Sequence, residues 1–148
     1  MYKKTISVIF VLISLLSCLS LSASAANTTD TYYTYSWSGY NDRYAYTNAR
    51  VKSNNSGVYV HVINNSLPYN GFYASTFYGV SSTGATKKGS KSEYRINDYN
   101  HYVIRSGNIK SMYVRIRGHY KDTTYSWGNC TIAWSPDTAS QSGLINLN

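Results

Sequence analysis

The stretch Ser111–Tyr120, SMYVRIRGHY, decides the fold because its apolar and polar side chains alternate residue by residue. Successive side chains of a β-strand point to opposite faces of the sheet, so this alternation predicts a strand with one buried face. We expect Met112, Val114 and Ile116 to face the core. The opposite side then carries rings and cationic groups, on Tyr113, Arg115, Arg117 and His119.

Short segments of high β-propensity recur along the rest of the chain, separated by clusters of Gly, Asn, Ser and Pro. The other predicted strands are Thr31–Trp37, Arg43–Lys52, Val58–Asn64, Phe72–Ser81, Ser92–Asn97, His101–Arg105 and Tyr125–Trp134. Such short connections exclude a parallel sheet, whose crossovers need about a dozen residues. The sequence therefore predicts an all-β fold, a single antiparallel β-sandwich or barrel-like domain of about eight strands. Its best-marked hairpin is Arg43–Asn64, with Val58, Val60 and Val62 in the core.

The beginning of the chain predicts a secretory signal peptide at residues 1–25, followed by the β-domain at residues 26–148. Two lysines precede an apolar run at residues 6–21, and Ala23-Ser24-Ala25 offers the small residues that favour cleavage after Ala25. Two alternatives stay open: an uncleaved anchor, because a membrane span needs about 20 apolar residues, and lipid attachment at Cys18. We expect a secreted, extracellular protein that associates with the cell wall.

Charge and cysteine content narrow the class of protein. Residues 26–148 carry twelve Lys and Arg against six Asp and Glu, a formal charge of +6. Such a charge favours contact with anionic polymers or membrane surfaces. Cys130 is the only cysteine in this segment, so we expect no intramolecular disulfide and a small buried side chain there. A secreted domain of this size without disulfides favours a bacterial source.

Two basic features form the predicted binding surface. The first is the cationic side of Ser111–Tyr120, where alternating rings and cations suit a polyanion or a glycan. The second is Gly84–Lys91, predicted as a mobile, protruding loop that carries Lys87, Lys88 and Lys91. Each feature also has a plainer interpretation. The first is an ordinary solvated sheet face, because outward charges are common on antiparallel sheets, and the second serves solubility alone.

Motifs for catalysis and metal binding are weak. The chain has no nucleophile elbow such as Gly-x-Ser-x-Gly, and no His or Cys pair has the spacing of zinc ligands. We expect no cofactor, no metal and no bound nucleotide, and a protein that is not an enzyme. The enzymatic alternative is a small secreted hydrolase such as a ribonuclease, with acid, base and phosphate-binding groups drawn from Glu93, His101, Arg115 and His119.

The C-terminal part resembles a known family. Trp127–Thr138, WGNCTIAWSPDT, preceded by Val114–Gly118, VRIRG, is similar to the ending of small secreted proteins of Gram-positive bacteria whose family has no assigned function. The resemblance implies a signal peptide, a Tyr- and Ser-rich β-region and a last strand that closes with Trp-Ser-Pro-Asp. It supplies no catalytic residues. By their residue types, Ser135–Thr138 form a turn in which Asp137 caps its own backbone, after an inward-facing Trp134.

The expected function is that of a secreted, non-enzymatic protein that binds anionic or glycan surfaces of the cell envelope. A bacteriocin-like antagonistic toxin is the first alternative, because small secreted bacteriocins share the length, charge and export of this chain. Their closing sequence is not found here, so this likeness is one of class. The hydrolase is the second alternative.

Overall fold

The computed structural model describes residues 26–39, 43–68, 71–97, 99–107, 109–121, 126–139 and 142–148. The predicted signal peptide lies outside these residues. Across the described ranges the chain forms strands, turns and loops, without a helix. None of these residues therefore belongs to a helix that is long and apolar enough to cross a membrane.

Eleven strands are described. They are β1 Thr31–Gly39, β2 Arg43–Tyr46, β3 Arg50–Val51, β4 Val58–Asn65, β5 Gly71–Gly79, β6 Lys87–Lys88, β7 Tyr94–Asn97, β8 His101–Ile104, β9 Tyr113–Tyr120, β10 Ser126–Ser135 and β11 Ile145–Leu147. The first sheet has the order β1-β10-β4-β8-β11, and the second has the order β2-β9-β5-β6, with β3 on β9 and β7 on β5. Among the described pairings only β8–β11 is parallel. The fold is an all-β, sandwich-like arrangement of two sheets, as predicted, and not a closed barrel.

The core lies between the two sheets and is rich in aromatic rings. Tyr35 and Trp37 of β1 stack with their centroids 4.9 Å apart, and Phe72 of β5 packs against both rings. The prediction for β4 is confirmed, because Val58, Val60 and Val62 are at most 1% exposed. Further core side chains come from β10, as the sequence indicated: Trp134, Ile132 and Cys130.

The alternation predicted for Ser111–Tyr120 is also present in the structure. Val114 and Ile116 of β9 are fully buried, and Met112 packs partly against the core. Residues 113, 115, 117 and 119 lie on the opposite face of the second sheet, away from the core. The strand thus separates an apolar side from a side with rings and cations, and the second side positions the candidate site.

The predicted hairpin Arg43–Asn64 is wrong. Strands β2 and β3 pair with β9 in the second sheet, whereas β4 pairs with β8 and β10 in the first. The turn at Ser53–Gly57 therefore crosses from one sheet to the other. A buried carboxylate fixes this crossing, because the backbone amides of Ser53 and Asn54 donate to Asp137. Periodicity within a strand does not reveal which strand lies beside it.

The lysine-bearing segment Gly84–Lys91 was predicted as a protruding loop, and this prediction is wrong for its centre. Lys87 and Lys88 form β6, which pairs with Phe77 and Tyr78 of β5. The connection from β5 is tight, since a Cβ atom added at Gly79 would lie 1.9 Å from the carbonyl oxygen of Gly84. The lysines stay exposed, but the backbone beneath them is part of the sheet.

Candidate functional site

The outward side of the second sheet gathers most of the predicted binding residues. We call it the cationic face and define it by Tyr44, Tyr46, Tyr73, Ser75, Phe77, Lys88, Arg95, Tyr113, Arg115, Arg117 and His119, with Glu93 and Lys121 beside them. Antiparallel register sets its rows, because side chains directly opposite on neighbouring strands are in contact. His119 lies between Tyr44 and Tyr73, and Arg117 lies opposite Ser75.

The two arginines of β9 lie against aromatic rings. The guanidinium carbon of Arg115 is 4.1 Å from the centroid of the Tyr46 ring. The guanidinium carbon of Arg117 lies 4.6 Å from the Tyr44 ring and 4.7 Å from the Phe77 ring. Stacking of this kind holds a guanidinium group in place while its N–H edge stays available for an anion.

Glu93, just before β7, is the point where the side chains of Arg117, His119 and Lys121 meet. Nη2 of Arg117 donates to Oε1 of Glu93 at 2.5 Å, and Oε2 lies 3.0 Å from Nδ1 of His119 and 3.5 Å from Nζ of Lys121. Burial acts to raise the pKa of Glu93, but the hydrogen bonds and charges of His119 and Arg117 outweigh it, and the pKa is lowered. The carboxylate is therefore ionised at neutral pH.

His119 is less accessible than its position in the sequence indicates. We expected it to be presented to solvent, but it is only 2% exposed. The Tyr44 ring lies 4.1 Å from the His119 ring between centroids, and the carboxylate of Glu93 meets its Nδ1 atom. Side chains from the neighbouring strand and from the segment before β7 thus cover the histidine, and alternation within β9 alone does not predict such cover.

The remaining predicted binding residues surround this centre at greater distances. Tyr113 lies at the other end of β9, opposite Gly79, and the span of six residues from there to His119 corresponds to about 20 Å. Lys88 lies at the edge of the cationic face, where it pairs with Phe77. Lys87 and Lys91 are exposed on the same segment. The structure therefore brings Arg117 and His119 together at Glu93, places Arg115 two residues before Arg117 on the same face of β9, and leaves the lysines of Gly84–Lys91 at the margin.

The four residues considered for a hydrolase are not all in one place. Glu93 and His119 meet, with Arg117 as the arginine in contact with the carboxylate. His101 belongs to β8 in the first sheet, where it lies opposite His61 of β4. Of these four residues, Glu93 and His119 are the acid–base pair that the structure brings together at the second sheet.

The pairing of β4 with β8 creates a histidine pair that the sequence did not reveal. The rings of His61 and His101 stack with centroids 3.9 Å apart, and the Tyr59 hydroxyl lies 2.6 Å from Nδ1 of His101. Burial, followed by the charge of His101, lowers the pKa of His61. Near-parallel rings do not converge on a common point, and in the part of the chain that the structure describes no three His, Cys, Asp or Glu residues could hold a metal ion.

A second feature that sequence reasoning missed is the role of Asp137. We expected this residue to cap its own backbone, but its carboxylate accepts from Nζ of Lys52 at 3.0 Å and from the backbone amides of Asn27 and Ser53 at 2.8 Å. Burial acts to raise the pKa of Asp137, but these hydrogen bonds outweigh it and the pKa is lowered. The sequence feature that drew attention to Asp137 was the closing Trp-Ser-Pro-Asp, of which it is the last residue. It marks a buried junction rather than a binding site.

Comparison with known proteins places this chain in a family. No curated protein and no solved structure matches the chain. A family model described as a protein of unknown function, DUF2712, matches residues 21–138. The match includes β1 to β10 and the closing Trp-Ser-Pro-Asp, in agreement with the resemblance to a family without an assigned function. The chain thus belongs to the DUF2712 family.

Proposed function

We propose that this protein is a secreted, non-enzymatic binding protein whose cationic face contacts anionic or glycan polymers of the cell envelope. One observation carries the proposal: Arg115, Arg117 and Lys121 lie on aromatic rings along the outward side of the second sheet. Aromatic rings position a cation without neutralising its charge. The cations are therefore held in place before a ligand arrives, which lowers the entropic cost of binding.

The distribution of charge favours a polyanion as the ligand. The described cations of the face are Lys88, Arg95, Arg115, Arg117 and Lys121, and the carboxylate of Glu93 pairs with two of them, Arg117 and Lys121. Lys52 adds nothing to this field because it is buried against Asp137. Clustered cations on one face attract a polyanion from a distance, and added salt screens this attraction with a Debye length of about 10 Å at 0.1 M.

Exposed rings on the same face favour sugar units in that polymer. Tyr44 is half exposed although its ring contacts both Arg117 and His119. A tyrosine ring offers a flat apolar contact together with a hydroxyl group that can donate or accept a hydrogen bond. An anionic glycan meets both kinds of group, because its charges reach the arginines while its sugar units lie on the rings.

Binding to purified Gram-positive cell walls tests the proposal. We expect the exported protein to sediment with walls at low salt and to be released at high salt, because the attraction is screened. Arg115→Gln should reduce the bound fraction at least about fivefold, since a charged hydrogen bond contributes about 1.5–3 kcal/mol. Arg105→Gln is the matched control, because Arg105 is exposed and follows β8 of the first sheet. Failure to sediment at low salt would contradict the proposal.

A hydrolase is the second candidate, favoured by the 3.0 Å approach of Glu93 to His119 beside Arg117. A carboxylate and a histidine next to a guanidinium group can transfer protons at a phosphodiester. The burial of His119 stands against this function, because a substrate would first have to displace the groups that cover it. RNA cleavage that is lost in Glu93→Gln and in His119→Ala would support the hydrolase, and an inactive wild-type protein would exclude RNA as its substrate.

A further inference from the structure

Glu93 lies where an external anion would meet the cationic face. We propose that the Glu93 carboxylate occupies a phosphate site, the position that one phosphodiester group of the ligand takes on binding. A phosphodiester polymer then displaces the carboxylate from this site. This inference rests on the proposed function, and it names both the chemical class of the ligand and the group that competes with it.

The contacts of Glu93 are those that a phosphodiester needs. Its two oxygens divide their partners, since Oε1 accepts from Arg117 while Oε2 faces His119 and Lys121. A phosphodiester also offers two charged, non-bridging oxygens on one atom, so it can take over both positions. Arginine and lysine bind such oxygens with charge-assisted hydrogen bonds. Arg117 and His119 are alternate residues of β9, so the backbone of the sheet sets their spacing, and Lys121 directly follows the strand.

Polar groups with spare hydrogen-bonding capacity lie on and next to Arg117, which contacts the phosphate site. Ser75 is directly opposite Arg117, and its buried hydroxyl has no hydrogen-bond partner among the described residues. The Nε atoms of Arg115 and Arg117 are likewise buried and unpartnered within the part of the chain that the structure describes. Buried polar atoms in folded proteins nearly always have a partner. This unused capacity is independent of the Glu93 contacts, and it favours a ligand whose oxygens enter between the arginines.

Tyrosine rings lie on both sides of His119, which contacts the phosphate site. Tyr44 lies against His119 on one side, with a centroid separation of 4.1 Å, and Tyr73 lies on the other side at 6.3 Å. The ring of Tyr73 also contacts Nζ of Lys121 at 4.6 Å. A phosphate group in the phosphate site would place the neighbouring units of its polymer over these rings. This arrangement suits a polymer that alternates phosphates with sugars or other polyols.

Displacement of Glu93 requires only a movement of its side chain. Glu93 precedes β7 and is not part of a strand, and its side chain retains 17% of its exposure. While the carboxylate stays in place it competes with any external anion for the same donors. Removal of its charge should therefore strengthen binding, whereas loss of an ordinary surface contact would weaken it or leave it unchanged.

Binding of a synthetic glycerol-phosphate oligomer at low ionic strength tests this inference. We expect Glu93→Gln to bind at least about tenfold more tightly than the wild type, since removing a competing charged hydrogen bond is worth more than 1.4 kcal/mol. Asp30→Asn is the matched control, because Asp30 is exposed and immediately precedes β1 of the first sheet, and its change in charge is the same. The control should change the affinity less than about twofold, within the small effects of exposed charges.

The possible failures can be told apart. If the wild type binds the oligomer and Glu93→Gln binds equally or more weakly, the role of Glu93 is wrong while the proposed function stands. If no variant binds the oligomer or the walls, both fail. Equal affinity for a poly-glutamate of matched charge would overturn the assignment to phosphate. The carboxyl ¹³C resonance of wild-type Glu93, followed by NMR as oligomer is added, needs no variant; an unchanged resonance at saturation would contradict displacement.

Discussion

Lys52 and Asp137, 85 residues apart in the chain, form an ion pair at 3.0 Å with both side chains fully buried. Nζ of Lys52 also donates to the carbonyl oxygen of Pro136 at 2.6 Å, and the backbone amide of Asn27 donates to the carboxylate of Asp137. This junction ties together the segment before β1, the crossing between the sheets and the turn after β10. The closing Trp-Ser-Pro-Asp of β10 and the turn after it thus has a structural explanation that involves no ligand.

Removal of the Asp137 charge should destabilise the fold. In Asp137→Asn the buried ammonium group of Lys52 loses its counter-charge, and breaking a buried pair in this way costs about 3–5 kcal/mol. Denaturant unfolding at neutral pH measures the loss, with Asp30→Asn as a control for the change in net charge. A loss below about 1 kcal/mol, the scale of an exposed ion pair, would show that the junction is not a main source of stability.

Stability should fall as the pH drops from neutral through 6.5, in part through His61. Burial and the charge of His101 lower the pKa of His61 from its ordinary value of 6.5. The unfolded chain then binds a proton more readily than the folded chain, so the free energy of unfolding decreases as the pH falls through 6.5 towards the folded pKa. His61→Gln should make the unfolding free energy less dependent on pH between about 7 and 5, near the ordinary pKa of histidine. An identical slope in the variant and the wild type would contradict this role.

A side chain at position 118 should disturb the aromatic core. A Cβ atom on Gly118 would lie 2.7 Å from Cε1 of Tyr35 and 3.0 Å from Cζ2 of Trp37, and both rings are tightly packed. We expect Gly118→Ala to lower the unfolding free energy by about 1–3 kcal/mol, the usual cost of overpacking. Thermal unfolding followed by near-ultraviolet circular dichroism reports it, with Ser36→Ala on the exposed side of β1 as the control. An unchanged melting temperature would mean that the rings move aside freely.

Export predicts a defined mature N-terminus. If residues 1–25 are a cleaved signal, the protein in the culture medium should have the mass of residues 26–148, and Cys18→Ser should leave its amount unchanged. Intact-mass spectrometry of the medium and of washed membranes measures both. Retention of the full chain in membranes would favour an anchor, and a lipid-modified mass that disappears in Cys18→Ser would favour a lipoprotein.

Part of the candidate site could be predicted from the sequence. The alternation in Ser111–Tyr120 placed Arg115 and Arg117 on one side of a strand, and this is a property of the backbone that needs no knowledge of neighbours. The meeting of Glu93 with His119 could not be predicted in the same way. It requires β7 to pair with β5 and β5 to pair with β9, and none of these pairings is local in the chain.

The sequence by itself determined the fold class, the buried side of β4 and β9 and the burial of Cys130, because side-chain alternation and hydrophobicity act residue by residue. The tertiary structure alone decided that Arg43–Asn64 is divided between two sheets, that Lys52 meets Asp137, and that Glu93 lies among cations. Strand pairing and buried ion pairs depend on how the whole chain packs, since a strand edge offers the same backbone hydrogen bonds to any partner. Side chains distant in sequence then determine which partner is the most stable.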